Sequence, residues 1–185
     1  MTALDLSSFA GLCAMVLLTL NVLLGVLISR NYNPARRWPH RKLPVPLFRI
    51  HNWTAYVALV FFLLHPALLL FNATPKFGIG DVLFPTHSPG QTLYNNLGAL
   101  TSYSFLVVVI TSYFRPQLGS RPWKRIHFTA YFGALMMFIH GTLIDPNLKG
   151  QPPDLLDGEK VLVEGCFLLV VAAGVWRWRQ KKKLI

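Results

Sequence analysis

Five apolar stretches constrain the fold of this chain more than any other feature. They run approximately Phe9–Ile28, Trp53–Phe71, Leu97–Phe114, Phe128–Ile144 and Val161–Trp176. A bilayer core about 30 Å thick is crossed by roughly 17–25 helical residues. The first two stretches meet that length directly; the last two reach it once flanking aromatic or polar residues are included. Hydrophobic residues make up 53% of the sequence and charged residues 14%, against about a quarter charged in soluble domains. The expected fold is an all-α membrane bundle of five transmembrane helices, forming a single domain over residues 1–185.

The first stretch reads as a retained helix rather than a cleaved leader. Met1 to Ser8 contains Asp5 and no Lys or Arg, so the basic segment that opens a signal peptide is missing. Arg30, Arg36 and Arg37 follow the stretch like a stop-transfer signal.

Basic residues alternate between successive loops. Arg30, Arg36, Arg37, Arg41, Lys42 and Arg49 lie between the first two helices, and Arg115, Arg121, Lys124 and Arg125 between the third and fourth. Arg177, Arg179, Lys181, Lys182 and Lys183 follow the fifth, so 15 of the 18 basic residues share one side. All seven acidic residues lie on or near the other: Asp5, Asp81, Asp145, Asp154, Asp157, Glu159 and Glu164. The positive-inside rule makes the basic side cytoplasmic. The N-terminus is then outside and the C-terminus inside, with a bacterial inner membrane the expected location. Membrane insertion accounts for the net charge of +11, so nucleic acid is excluded as a partner and membrane lipid takes its place.

Cys13 and Cys166 fall within apolar stretches and form no CxxC pair, which suggests packing rather than redox or zinc chemistry. Asn72-Ala-Thr74 fits a short glycosylation pattern on the outer side. The proline-rich runs Asn33 to Pro46 and Gln151 to Pro153 read as loops.

Chemistry points to the histidines. Four of the six lie in or at the ends of helices two and four: His51 and His65, and His127 and His140. Intramembrane ionisable groups are expensive and face the bundle interior with a partner. A single such histidine is usually a packing residue; four in a matched arrangement are a different matter. Helix two reads Arg49-Ile50-His51, then Thr54-Ala55-Tyr56, then His65. Helix four reads Arg125-Ile126-His127, then Thr129-Ala130-Tyr131, then His140. In both, the second His follows the Thr by 11 residues.

The His–His separations are 14 and 13 residues, or roughly 20 Å of helical rise. The two helices run in the same direction, so the first histidines share one level and the second histidines another. Each level offers two imidazoles able to approach an iron from opposite faces. Thirteen residues miss the starting face of a helix by about 140°, and the shared Thr-to-His register places that discrepancy in the first turn around His127. Zinc is a poorer match, because its ligands group at short spacing and no carboxylate or thiol completes either pair.

This constellation resembles the ferric reductase-like transmembrane domain, which also forms the membrane part of the NADPH oxidases. Arg121-Pro122-Trp123-Lys124-Arg125-Ile126-His127 through His140 also resembles a helix in the haem-binding membrane subunit of a bacterial methionine sulfoxide reductase system. The resemblance extends from about Arg30 to Trp176. It implies two b-type haems, with His51 and His127 as ligands on the cytoplasmic side and His65 and His140 on the outer side. Many family members continue into a domain binding flavin and a nicotinamide nucleotide. This sequence has no glycine-rich dinucleotide fingerprint, so a separate reductase, a quinol or another reductant is the expected donor. Neither a flavin nor a quinone site can be read from the residues.

Arg49 and Arg125, two residues before the inner histidines, are candidates for haem propionate pairing, with topology and snorkelling as the competing role. Gly133 and Gly141 are read mainly as helix-packing residues. Tyr56 and Tyr131 are assigned either to the haem pockets or to helix contacts. His40 and His87 are loop residues and are not assigned as ligands. The expected function is haem-mediated transmembrane electron transfer as an oxidoreductase subunit. A quinol- or quinone-linked di-haem cytochrome and a haem-free histidine-relay transporter or assembly protein are the alternatives.

Overall fold

The computed structural model describes residues 1–29 and 46–182. Arg30, Arg36, Arg37, Arg41, Lys42 and Lys183, together with His40, lie outside the described residues. Among the described residues there is no strand, and five long helices dominate. They are α1 (Ala3–Ser29), α2 (Leu47–Leu69), α3 (Thr92–Tyr113), α4 (Ser120–Leu143) and α5 (Gly158–Lys182). Each is long and apolar enough to cross a membrane. Large side chains such as Val60 and Leu168 are about two-thirds exposed on the outside of the bundle, where lipid tails would cover them.

Several helices begin before their apolar stretch does. α2 starts at Leu47 rather than near Trp53, and α4 at Ser120 rather than near Phe128. These first turns hold Arg49, His51 and Asn52, or Lys124, Arg125 and His127, which hydropathy reads as loop. Backbone groups near lipid must still be paired, so the helix runs on through polar residues. One consequence concerns His127. α4 consists of Ser120–His127 and Thr129–Leu143, joined at Phe128. Tyr131 N–H bonds back only three residues, to the Phe128 carbonyl, at 3.2 Å, a locally tightened turn. The irregularity adjoins His127, but inside the span, well after its first residue.

Contacts pair the helices. α1 packs most closely on α2, α3 packs on α4, and α5 lies against α1 and α4. By contrast, the two His-bearing helices, α2 and α4, scarcely touch each other. A buried apolar cluster from all five helices fills the middle of the bundle: Met15, Leu18, Ala58, Phe105, Ala134, Met137, Phe138, Val163 and Cys166. Ala58 and Ala134 fall midway between the histidines of their helices, so this plug separates the two His levels. Gly133 meets Ser104 and Phe105, and Gly141 meets Met15 and Val163. Both glycines sit in helix contacts, and Gly141 also borders the space beside His65 and His140. Cys166 belongs to the core, and Cys13 is half-buried and also free.

On the side where α4 ends and α5 begins, Asp145 organises a loop. Its carboxylate accepts the backbone N–H groups of Asn147 (2.9 Å), Lys149 (2.9 Å) and Gln151 (3.1 Å). The Gln91 side chain clamps the backbone of Asp145 from both directions, at 2.8 and 3.0 Å. Burial alone would raise the Asp145 pKa, but those three N–H groups and the nearby Lys160 charge outweigh it and hold the carboxyl below its usual range. Lys160 is itself buried, and its ammonium donates to the carbonyls of Gly141 and Ile144 at the end of α4. Asn72 is buried and donates its amide to the Pro75 carbonyl at 2.9 Å, which leaves it poorly placed for glycan attachment.

Candidate cofactor site

The four intramembrane histidines meet in two pairs. His51 faces His127, and His65 faces His140. The ring centroids are 6.2 Å apart in both pairs, with the planes at 63° and 73°. These contacts make α2 and α4 parallel and put one pair at each level.

Each ring is held from behind by a neighbouring helix. His51 Nδ1–H donates to the Asn21 carbonyl at 3.1 Å, and His65 Nδ1–H to the Ser7 carbonyl at 2.8 Å. Ser7 Oγ–H returns a bond to the His65 carbonyl at 2.8 Å. His140 Nδ1–H donates to the Tyr94 carbonyl at 2.7 Å. Ser7 Oγ also lies 3.1 Å from His65 Nδ1, beside the carbonyl; at His127 Nδ1 a side chain, Ser112 Oγ at 3.3 Å, takes the place of the carbonyl. A carbonyl can only accept, so it fixes the proton on Nδ1 and leaves Nε2 as the free ring nitrogen.

Three of these supports share one pattern. The accepting carbonyl lies four residues before a glycine, as Ser7/Gly11, Asn21/Gly25 and Tyr94/Gly98. A methyl group on Gly11 would lie 3.0 Å from the His65 ring, and one on Gly25 would lie 3.5 Å from His51. On Gly98 it would lie 2.9 Å from His140. The glycines therefore let imidazole settle onto a bare helix backbone. Ser7 and Asn21 are 14 residues apart, as are Gly11 and Gly25, matching the 14 between His51 and His65 on the antiparallel partner. Sequence reasoning missed these residues, although that matched spacing was there to be read.

Each pair borders a cavity. The one beside His65 and His140 has a volume of about 470 Å³, and the one beside His51 and His127 about 360 Å³. Phe62 lines both and, with its edge-on partner Phe105 at 5.5 Å, stands between them. Arg115, Lys124 and Arg177 line the cavity beside His51 and His127, as do Tyr56 and Tyr131. Arg115 lies 4.2 Å from the centre of the Trp123 ring, which stacks on His127 at 4.9 Å. Arg49 and Arg125 are exposed and line neither cavity. Among the described residues, Lys160 is the one Lys or Arg that lines the cavity beside His65 and His140. His87 is exposed on a short turn and bonds Thr86.

The donor set favours haem over a bare ion. Among the described residues, no group of three or more His, Cys, Asp or Glu could hold a metal. Two facing imidazoles suffice where a macrocycle supplies the other ligands. With metal–nitrogen bonds of about 2 Å, two rings facing one iron have centroids about 6 Å apart, and both pairs already have that separation.

A family model, the ferric reductase like transmembrane component, matches residues 10–138. The chain belongs to that family and is an integral, multi-pass membrane protein. Domains of this kind generally bind haem, and the family points to transmembrane electron transfer. The match takes in most of α1 and includes His51, His65 and His127, ending two residues before His140. Comparison with curated proteins gave no match, and neither did comparison with solved structures.

Proposed function

We propose that this protein carries electrons across the membrane through two b-type haems, as the membrane subunit of an oxidoreductase with a separate electron donor. The observation that carries this reading is the pair of His–His levels with equal 6.2 Å ring separations. Bound at these levels, haem would supply reversible one-electron chemistry at iron.

The chain's own residues have distinct tasks. His51 and His127 would hold the inner group, and His65 and His140 the outer one, each through Nε2. The Nδ1 bonds orient the rings and raise their basicity. Arg115, Lys124 and Arg177 give the inner cavity a cationic rim suited to haem carboxylates, and among the described residues Lys160 is the one Lys or Arg lining the outer cavity. Arg49 and Arg125 fit the topological role better. The apolar plug and Phe62 exclude water between levels spaced by roughly 20 Å of helix. The basic ends of α2 and α4 put the His51–His127 level toward the cytoplasm under the positive-inside rule.

The test is a reduced-minus-oxidised spectrum, with haem and protein quantified on one purified sample. Two b-type haems per chain are expected. A folded protein that takes up none after haem supplementation would overturn the proposal.

A further inference from the structure

The four histidine supports invite comparison with one another. Three follow the same rule, with Nδ1–H bonded to a carbonyl and a glycine four residues later on the same helix. Extending the third by 14 residues along α3 moves Tyr94/Gly98 to Val108/Ser112. The fourth support therefore has serine where the pattern puts glycine. A Cβ at the equivalent place would press on the imidazole at Gly11 and Gly98. At Ser112 the side chain is present and becomes the hydrogen-bond partner, at 3.3 Å from His127 Nδ1.

Ser112 is also shared. Trp123 Nε1–H donates to the same Oγ at 3.2 Å while its ring stacks on His127. A hydroxyl oxygen has two acceptor sites, so Trp123 and His127 occupy both. His127 consequently has a weaker acceptor behind it than His51, His65 or His140. A stronger acceptor at Nδ1 makes the metal-bound imidazole a better electron donor to iron and favours the oxidised state.

We infer that Ser112 is a positioning residue that sets the inner haem apart, raising its midpoint potential above the value a fourth carbonyl support would give. This rests on the haem reading above, and the two fail in different ways. A wild-type protein without haem defeats the haem reading; a haem-loaded protein in which Ser112 has no influence on potential defeats this inference.

The experiment is a spectroscopically monitored redox titration of the full-length, haem-loaded protein and its Ser112→Ala, Ser112→Gly and Ser112→Thr variants. Removing the acceptor in Ser112→Ala should shift the inner component upward. Ser112→Gly recreates the pattern of the other three supports and should shift it downward. Ser112→Thr keeps the hydroxyl and should stay near wild type. The outer component should not move in any of them. Opposite signs for Ala and Gly separate tuning from a structural role, which would perturb both variants alike. Shifts of the same sign, no shift in either, or loss of the inner component in Ser112→Gly would overturn the inference.

Discussion

Gly98 and His140 are in direct contact: a methyl group on the glycine would stand 2.9 Å from the imidazole Cε1. The ring cannot retreat easily, because its Nδ1–H is bonded to Tyr94 one turn earlier on the same helix. Gly98→Ala should therefore displace His140 and weaken the outer haem, with an overpacking cost of about 1–3 kcal/mol. Gly11→Ala, at 3.0 Å from His65, should act in the same direction. Gly25→Ala should be far milder, because 3.5 Å from His51 is ordinary contact. Haem retention of the three purified variants checks the ranking.

Separate loss of the two levels follows from the parallel course of α2 and α4. His65→Ala and His140→Ala should each remove or destabilise the outer haem and leave the inner one bound. His51→Ala and His127→Ala should do the reverse. All four should interrupt electron transfer across the membrane, since each removes one of two stations. Potentiometric titration of the folded variants identifies the missing component. If His65→Ala and His51→Ala lost the same one, the level-by-level pairing would be wrong.

The helices and the histidine levels were legible in sequence for a simple reason. Lipid demands long apolar runs, and four ionisable residues stand out against them. Ring support was not legible in the same way. Ser7, Asn21 and Tyr94 contribute backbone carbonyls, which every residue possesses, so side-chain chemistry gives no sign of them. Gly11 and Gly25 acquire their role only because α1 runs antiparallel to α2, which brings their 14-residue spacing against His51 and His65. Arg49 and Arg125 are candidates for propionate pairing because they stand two residues before His51 and His127 in the chain. In the folded bundle neither lines a cavity, while Arg115, Lys124 and Arg177, from three different segments, line the one beside His51 and His127.

Lys160 offers a test of packing where α5 meets the end of α4. Its ammonium caps the Gly141 and Ile144 carbonyls where α4 ends, near the negative end of the helix dipole. Lys160→Met keeps most of the side-chain volume but leaves both carbonyls without this donor. A loss of about 1–3 kcal/mol is expected, read as a lower thermal midpoint in detergent. An unchanged midpoint would remove the cap from the account of how α4 and α5 are joined.

Asp145 makes the loop beyond α4 pH-sensitive in a defined direction. Its folded pKa is depressed chiefly because the N–H groups of Gln151, Asn147 and Lys149 outweigh the cost of burial. A depressed carboxylate contributes stability that is fully present above its unfolded pKa of about 3.9. That contribution is lost as pH falls through the lower, folded value. Asp145→Asn should therefore lower the thermal midpoint at pH 7, and the gap from wild type should close on acidification below about pH 4. A gap that stayed constant down to pH 3 would mean that the carboxylate charge is not what holds the loop.

Orientation can be tested without reference to haem. The exposed Arg121 lies just inside the start of α4, and Leu156, 88% exposed, lies between α4 and α5. One membrane span separates them, so they must face opposite sides. The native Cys13 and Cys166 lie within spans and are half-buried and buried, so a membrane-impermeant maleimide should give them little background. In intact cells, Leu156→Cys should be labelled and Arg121→Cys should be protected until the membrane is opened. This direction follows from the basic residues gathered at the Arg121 side. Labelling of both in intact cells would contradict α4 as a membrane span. Labelling of Arg121→Cys alone would keep the bundle but invert it, assigning the His51–His127 level to the outer side.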